Sequence, residues 1–558
     1  MTESESKYQT PLDELVADRK HAFDNLANNW IAEELVADPV TATYLGADGD
    51  HGAIGDLSAA GIEQREKADR RWLDELTRFD DGLLDEQRRV DLALLVSGIR
   101  GRQIYSEWGQ WRHDPAVYLD PIVYGIFSLF LNPLFPEAET AAYAESRLRQ
   151  VPQVVAEAQR NLEVELANPI ICQRGLGQCK AAATYFRQML ASEVTDAGWK
   201  QRLTDAGTEA AGAMESFAQF LTRLAEEAQG TYALGEDKYT RLLKEKEMLD
   251  YGAYELRKRG EAAWAEIDVD MTELAKQVDP TATTWRPVLE ELNAQHPGTP
   301  EEMLASYTEW TAKARAFCAQ NNLVTFPDDE KCIVEPSPAF QRPVLAVASY
   351  SQPPAFRPGR TGHFFVPWPP DGTPPEEIQK RLASNGYHSI PTVSVHEAYP
   401  GHHWHLSWAK SNPSRVRAFV HSSYFAEGWA LYTEVMMREQ GFFEDKRDEL
   451  CHLDARIFRA ARIIVDTGLH IGDLDFEGAV EIMRTKASLP EPVARAEVTR
   501  YCAWPTQAPS YLTGSLEIER MRAKYLEDKR GDLHSFHDAL CATGCMPLGL
   551  AERSLFAG

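Results

Sequence analysis

The chain has 558 residues, of which 44% are hydrophobic and 26% charged, proportions that are ordinary for a soluble globular protein. Lys and Arg number 58 against 85 Asp and Glu, which gives a formal net charge of −27. Nucleic acid and anionic membrane surfaces both attract cationic proteins, so we expect neither as a partner. Disorder of the whole chain is also disfavoured, because the hydrophobic content is sufficient for a core.

Cysteine usage and hydropathy bear on location. The eight cysteines are scattered and form no Cys-x-x-Cys pair, which is typical of thiols in a reducing compartment. The first twenty residues lack the basic and apolar regions of a signal peptide. The most apolar stretch, 121–136, contains Gly125, Asn132 and Pro133 and is too short to span a bilayer. We therefore expect a cytoplasmic protein, and the sequence leaves its oligomeric state undetermined.

Apolar residues recur at helical spacing through most of the chain, which predicts a mainly α fold. The first half contains five predicted helices, at 11–36, 62–100, 137–166, 181–229 and 239–278. The later predicted helices are 392–410, 423–440, 446–470, 475–487 and 515–528.

Between residues 326 and 375 prolines become frequent and the helical pattern stops. Segments 344–350 and 362–367 are predicted strands that form a hairpin. The strand 362–366 could pair with an extended substrate, and its alternative is the edge of a plain hairpin. A boundary near residue 330 separates an N-terminal helical lobe, 1–330, from a catalytic lobe, 331–558, and the two lobes could share one cleft.

The segment 392–408, TVSVHEAYPGHHWHLSW, holds the residues with the clearest chemistry. His396, Glu397, His402, His403 and His405 lie within ten residues of one another. Imidazole nitrogens bind zinc, and a carboxylate beside the first ligand suits a general base for metal-activated water. The zincin pattern H-E-x-x-H places two imidazoles one helical turn apart, but here proline occupies the position of the second histidine.

The spacing of the histidines imposes a geometric condition on any metal site. On a straight helix, His396 and His402 are about 9 Å apart along the axis and about 240° apart around it. Zn–N bonds are about 2.0–2.1 Å long, so two such imidazoles cannot hold one ion. His403 cannot share an ion with His396 on a straight helix either, because it lies about 10 Å from His396 along the axis. Pro400 and Gly401 permit a kink, and a metal site therefore predicts a distorted helix at this point.

A third ligand is expected downstream. Glu427, in the segment FAEGWALYTE, follows His402 by 25 residues and would be carried by a second helix packed on the first. Glu434 lies two turns further along the same face and is predicted to accept a hydrogen bond from a ligand histidine. In the alternative interpretation both glutamates are solvated surface residues, and Glu397 only completes a capping box with Ser394.

Several segments together resemble the bacterial domain-of-unknown-function 885 family. They are HEAYPGHH, EGWALYTE, VDTGLH at 465–470, RY at 500–501, PTQAPSY at 505–511, and RPG at 357–359 followed by GHFFVP. The clear matches run from about residue 350 to about residue 515. That family resembles the helical zinc metallopeptidases with a glutamate third ligand, such as the thimet-type oligopeptidases and the carboxypeptidase Taq family. The resemblance implies a two-lobed, zincin-like helical architecture with a deep channel and a short sheet or hairpin beside the active-site helix.

The resemblance also implies a metal site and a substrate. It implies one Zn²⁺ held by His396, His402 and Glu427, with Glu397 as the general base and a short peptide as substrate. It favours His402 over His403, because the Pro-Gly-His triplet is a feature of the family. The Pro-Gly insertion is absent from the well-studied peptidases, so ligand geometry cannot be copied from them.

Further catalytic candidates follow from the same resemblance. Tyr511 matches a tyrosine that steadies the oxyanion in those peptidases, and its alternative is a core tyrosine. His470 and Arg500 are further candidates, whose alternatives are a satisfied histidine at a helix end and a structural ion pair. The chain reads Pro-Thr-Gln where the family usually has Pro-Gly-Gln.

Together these features predict a zinc-dependent metallopeptidase that hydrolyses short peptides. The alternatives are a metal-dependent hydrolase of a non-peptide amide and a non-catalytic metal-binding protein. A serine hydrolase is disfavoured because the chain lacks the G-x-S-x-G motif. The sequence does not decide between exopeptidase and endopeptidase action, although Arg357, Arg360 or Arg500 could hold a free carboxylate.

Overall fold

The protein is described by a computed structural model that covers residues 3–131, 133–338, 341–342, 347–370 and 372–557. About 70% of the chain is helical, and the described strands form one small three-stranded sheet. The predicted mainly α fold with a short sheet is confirmed.

The first part of the chain is helical up to residue 320. Its helices are α1 (Glu3–Ala37), α2 (Pro39–Leu45), α3 (Ala59–Arg78), α4 (Glu86–Glu107), α5 (Ala116–Leu131), α6 (Glu137–Asn161), α7 (Pro169–Thr184), α8 (Ala197–Glu227), α9 (Glu236–Arg241), α10 (Ala253–Val278), α11 (Trp285–Asn293) and α12 (Pro300–Gln320). Shorter 3₁₀ and π turns lie at Gln110–Arg112, Tyr185–Met189, Leu190–Glu193 and Leu242–Lys246. The predicted helix 62–100 is in fact two helices, because Asp85 starts α4 by accepting a hydrogen bond from the Arg88 main chain at 3.0 Å.

The sheet consists of β1 (Glu330–Pro336), β2 (Ser349–Ser351) and β3 (Arg360–Val366) in the order β1-β3-β2. β2 and β3 are antiparallel, as the predicted hairpin requires, while residues 343–346 of the first predicted strand lie outside the described residues. β1 pairs with β3 in parallel and was not predicted. The expectation that 362–366 adds a substrate strand is wrong, since β3 is the central strand and already has a neighbour on each side.

Helices return after the sheet and continue to the end of the described chain. They are α13 (Pro375–Ala383), α14 (Ile390–Glu397), α15 (His402–Ala409), α16 (Arg415–Phe419), α17 (Ser423–Glu439), α18 (Lys446–Ile471), α19 (Phe476–Lys486), α20 (Glu491–Ala503), α21 (Ser510–Glu527), α22 (Leu533–Ala542) and α23 (Leu548–Phe556). The predicted helix 392–410 is interrupted and forms α14 and α15.

The largest hydrophobic core joins the two ends of the chain. It contains buried residues from Phe23 in α1 to Leu555 in α23 and therefore crosses the predicted boundary near residue 330. A second core lies among α5 to α8, and a third lies among α18 to α20. The division into lobes 1–330 and 331–558 stays a prediction.

Among the described helices, none taken singly has the length and hydropathy needed to cross a bilayer. The pair Glu86–Arg112 and Ala116–Leu131, bent by 99° at their junction, meets that requirement only when the two are joined.

Helices α17 and α21 approach each other closely at two glycines. A Cβ added to Gly514 would lie 2.0 Å from the Tyr424 carbonyl oxygen, and one added to Gly428 would lie 2.4 Å from the Gly514 Cα. Both distances are far below van der Waals contact, so this crossing requires glycine in each helix. The contact matters for the candidate site, because α17 carries Glu427 and α21, which begins at Ser510, carries Tyr511.

We predict that Gly514→Ala destabilises the protein by about 1–3 kcal/mol, the usual cost of overpacking a core. Gly212→Ala in α8 is the matched control, because a Cβ there meets nothing within 4 Å. Alanine in that helix interior should stabilise by up to about 1 kcal/mol. Thermal unfolding of the two variants should therefore shift in opposite directions. A Gly514→Ala protein that unfolds at or above the wild-type temperature would contradict the required approach.

Candidate metal centre

The regular helix is interrupted between Glu397 and His402. α14 ends at Glu397, Ala398 leaves the helical region with φ −113° and ψ −82°, and the Tyr399–Pro400 peptide bond is cis. The Gly401 N–H donates to the Val395 carbonyl at 3.1 Å. A Cβ on Gly401 would lie 1.9 Å from the His396 carbonyl oxygen, so only glycine fits. The predicted distortion of this helix is confirmed.

Aromatic side chains of α17 hold the break in place. The Trp429 indole N–H donates to the Pro400 carbonyl oxygen at 2.8 Å. His405, which is fully buried, stacks on Phe425 with 4.9 Å between ring centroids. Burial lowers the pKa of His405 well below its usual value, and its ring nitrogens have no hydrogen-bond partner among the described residues. His405 is therefore a neutral packing residue.

The break brings His396 and His402 together and faces them toward Glu427. The two imidazole rings are perpendicular, with centroids 4.8 Å apart. The Glu427 Oε2 lies 3.5 Å from Nε2 of His396 and 3.4 Å from Nε2 of His402. Tetrahedral zinc with bonds of about 2.0–2.1 Å requires ligand atoms about 3.3–3.5 Å apart. The separations fit a shared ion, whereas a charged hydrogen bond would be about 2.7–2.9 Å long.

Glu434 fixes the orientation of the first imidazole. Its Oε1 lies 2.7 Å from Nδ1 of His396, and its Oε2 accepts from the Thr392 hydroxyl at 2.9 Å and lies 3.2 Å from Nδ1 of His452. With a proton on Nδ1, His396 presents the Nε2 lone pair toward Glu427. Glu434 is fully buried, so the predicted contact is confirmed and the solvated alternative is wrong for this residue.

The two glutamates nearest the histidines differ in their electrostatics. Burial by itself raises the pKa of Glu427, but the imidazoles of His396 and His402 outweigh it and hold that pKa well below its usual range. For Glu397 burial prevails and raises the pKa. Glu427 thus has the character of an anionic ligand, and Glu397 has the higher proton affinity that suits a base. The capping-box alternative is wrong, because Ser394 lies inside α14.

A cleft leads to the centre from the N-terminal helices. Its cavity has a volume of about 490 Å³, and its lining includes His402 and Glu427 together with Tyr44 of α2 and Tyr350 of β2. His421, which is exposed, also lines this cavity. The volume is in the range of sites for small ligands. Residues on both sides of the predicted boundary therefore contribute to one cleft.

His403 is turned away from the metal centre toward the sheet. Its Nε2 lies 2.7 Å from Oε2 of Glu330, and its Nδ1 lies 3.0 Å from the Tyr350 hydroxyl. Glu330 also accepts hydrogen bonds from the Tyr399 hydroxyl and from Arg315, both at 2.7 Å. Burial raises the pKa of Glu330, but these bonds outweigh it and lower the pKa to about 2. The cluster anchors α15 to β1. Glu330 was not predicted, because no local sequence pattern marks it.

Tyr511 lies in the first turn of α21, three residues before the Gly514 contact with α17. The guanidinium of Arg462 is 4.8 Å from its ring centroid. Burial, and then the negative charge of Glu427, raise the pKa of Tyr511. The phenol is therefore protonated and within electrostatic reach of the centre.

His470 and Arg500 make the contacts of structural residues. His470 is fully buried, with Nε2 2.9 Å from the Tyr501 carbonyl oxygen and Nδ1 3.4 Å from the Leu234 N–H. Burial lowers the pKa of His470 to about 4. Arg500 donates to Glu497 at 3.1 Å and to Gln507 at 2.6 Å. The structure favours the structural alternative for both predicted catalytic residues.

Comparison with known proteins finds a family and similar folds. The family described as "Bacterial protein of unknown function (DUF885)" matches residues 39–555. A solved "putative lipoprotein of unknown function from Shewanella oneidensis" is 20% identical with a TM-score of 0.78, over 95% of this chain and 99% of that one. A "putative lipoprotein from Colwellia psychrerythraea" is 19% identical with a TM-score of 0.80, over 96% and 98%. These likenesses show the fold alone, and no curated protein matches the chain.

We predict that Glu434→Gln weakens zinc binding by about 10–100-fold, because the amide no longer supplies the negative charge that orients and polarises His396. Competition with a chromogenic chelator measures the affinity. Glu439→Gln is the matched control, since Glu439 lies on the same helix in an exposed ion pair with Arg522. Equal zinc affinity in wild type and Glu434→Gln would show that this carboxylate does not support the site.

We predict that the stability contributed by Glu330 depends on pH. Its pKa is about 2 in the folded chain against an ordinary 4.5, so the contribution is fully present above pH 4.5 and is lost as the pH falls toward 2. Glu330→Gln should cost about 3–5 kcal/mol at neutral pH, because it leaves buried partners uncompensated. Unfolding is measured with chelator present, so that metal release does not contribute.

The control for that experiment is Glu335→Gln on the same strand. Glu335 lies 2.6 Å from His363, but its side chain is 40% exposed, so its loss should cost less than about 1 kcal/mol. A destabilisation by Glu330→Gln that stays constant from neutral pH to the acid limit would contradict the assignment.

Proposed function

The chain belongs to the DUF885 family of bacterial proteins of unknown function, and we propose that it is a zinc-dependent metallopeptidase that hydrolyses short peptides. The observation that carries the proposal is the set of two imidazole nitrogens and one carboxylate oxygen, which all lie within 4.8 Å of one another. Two histidines and a glutamate are a ligand set of catalytic zinc, which leaves a coordination position open.

The residues around the ligands supply the remaining parts of a hydrolytic site. When bound, zinc lowers the pKa of water to about 7 and polarises a carbonyl group. Glu397 follows His396 directly and accepts the proton of the attacking water, then delivers it to the leaving amine. The protonated Tyr511 donates a hydrogen bond to the oxygen that becomes negative as the carbonyl carbon turns tetrahedral. The cleft of about 490 Å³ favours a short substrate over a folded protein.

We also propose a cytoplasmic location, because all eight cysteines are free thiols in the structure and seven of them are buried. The description as lipoproteins applies to the two proteins with similar structures.

We predict that Glu397→Gln lowers kcat on short peptides by about 10²–10⁴-fold, since general acid–base catalysis contributes about that much. The variant should still bind zinc, because it keeps His396, His402 and Glu427. A peptide library measures turnover, and metal analysis measures zinc in the same samples. Glu439→Gln should retain wild-type turnover.

The outcomes separate the proposal from its alternatives. Hydrolysis of non-peptide amides alone would indicate a metal-dependent amide hydrolase of another substrate class. Unchanged properties in Glu397→Gln, with zinc bound and no substrate turned over, would indicate a non-catalytic metal-binding protein.

A further inference from the structure

Arg459 on α18 carries a positive charge that no acidic side chain among the described residues neutralises in an ion pair. Its Nη1 donates to the Ala455 carbonyl at 2.9 Å, within the same helix. Its Nε is buried and has no hydrogen-bond partner in the described part of the chain. Leaving a guanidinium donor buried and unsatisfied is costly, so such a group is kept for a ligand more readily than for stability.

The arginines three residues before and after Arg459 are paired. Arg456 bonds Glu519 at 2.8 Å, and Arg462 bonds Glu497 at 3.0 Å. Arg459 is thus distinct from its neighbours three residues away on either side. Asp454 is the acidic residue nearest to it along α18, but burial raises the pKa of Asp454 to about 7.

The sequence candidates for holding a free carboxylate are engaged elsewhere. Arg500 pairs with Glu497, and Arg360 donates to Asp329 at 2.6 Å. Arg357 faces Asp48 at 3.6 Å on the surface. None of these contacts leaves the cation as free as that of Arg459.

Arg459 also lies beside the reacting groups. Its guanidinium carbon is 5.7 Å from the ring centroid of Tyr511. A ligand atom bound by Arg459 would therefore lie beside Tyr511.

We infer that Arg459 binds the free C-terminal carboxylate of the substrate, so that the enzyme acts as an exopeptidase at the carboxyl end of short peptides. The planar guanidinium matches a carboxylate in two parallel hydrogen bonds, which an uncharged amide cannot reproduce. The substrate then supplies the anion that the protein does not. This inference rests on the proposed function and names the substrate end that the site selects.

The test measures binding without turnover, in zinc-loaded Glu397→Gln protein. The probes are N-acetyl-alanyl-alanine and its C-terminal amide, titrated calorimetrically. We expect the free acid to bind at least tenfold more tightly than the amide, and the added change Arg459→Gln to remove that preference. Arg459→Lys keeps the charge without the planar fork and should give an intermediate preference.

Arg447→Gln is the matched control, because Arg447 lies on the same helix in an exposed pair with Asp445 and should keep the full preference. Equal binding of acid and amide with Arg459 intact overturns the inference, and this comparison needs no variant at Arg459 to fold. A preference that survives Arg459→Gln also overturns it, because the carboxylate is then held by the metal or by another residue.

The proposed function and this inference fail in different ways. Wild-type protein that hydrolyses acid and amide peptides equally well is a peptidase without the carboxylate contact. Protein that prefers the acid in binding, yet hydrolyses no peptide, keeps the contact without the proposed function.

Discussion

The interruption between α14 and α15 is the constraint on which the rest of the site depends. Two imidazoles six residues apart cannot share an ion on a regular helix. The close approach of Gly401 to the His396 carbonyl is part of the interruption that brings the two rings to 4.8 Å from each other. A side chain at position 401 would collide with the main chain of the preceding helix. The site therefore requires glycine, which has no Cβ, at position 401.

Helix α17 supplies both carboxylates that face the imidazole of His396. Glu427 faces the two imidazoles, while Glu434, two turns later, orients His396 from behind. Trp429 binds the carbonyl of Pro400 and ties this helix to the interruption. The glycine contact joins this helix to α21, which carries Tyr511 in its first turn. One helix thus carries the proposed ligand Glu427 and its supporting acid and contacts the helix of Tyr511.

Features that follow from the local spacing of residues could be predicted from the sequence. Contacts between residues far apart in the chain could not. Helical periodicity predicted long helices such as α1, α6, α17 and α18 but missed α5, α12 and α20. Because His396 and His402 cannot meet on a straight helix, their spacing predicted the interruption. Glu330 bonds His403 across 73 residues, and β1 joins the sheet in parallel, so neither leaves a local pattern. In the sequence Arg459 resembles any arginine of an amphipathic helix, and only the structure shows that no acidic side chain of the described residues forms an ion pair with it. His470 was selected by resemblance, whereas its contacts are with main-chain groups.

Anomalous diffraction at the zinc edge, from crystals of the zinc-loaded protein, locates the ion. We expect one peak about 2.0–2.2 Å from Nε2 of His396, Nε2 of His402 and a carboxylate oxygen of Glu427. His388, Asp445 and Asp448 form another group whose ligand atoms lie within 4.8 Å of one another. Zinc at that group, with no peak between His396, His402 and Glu427, would rule out the proposed metal centre.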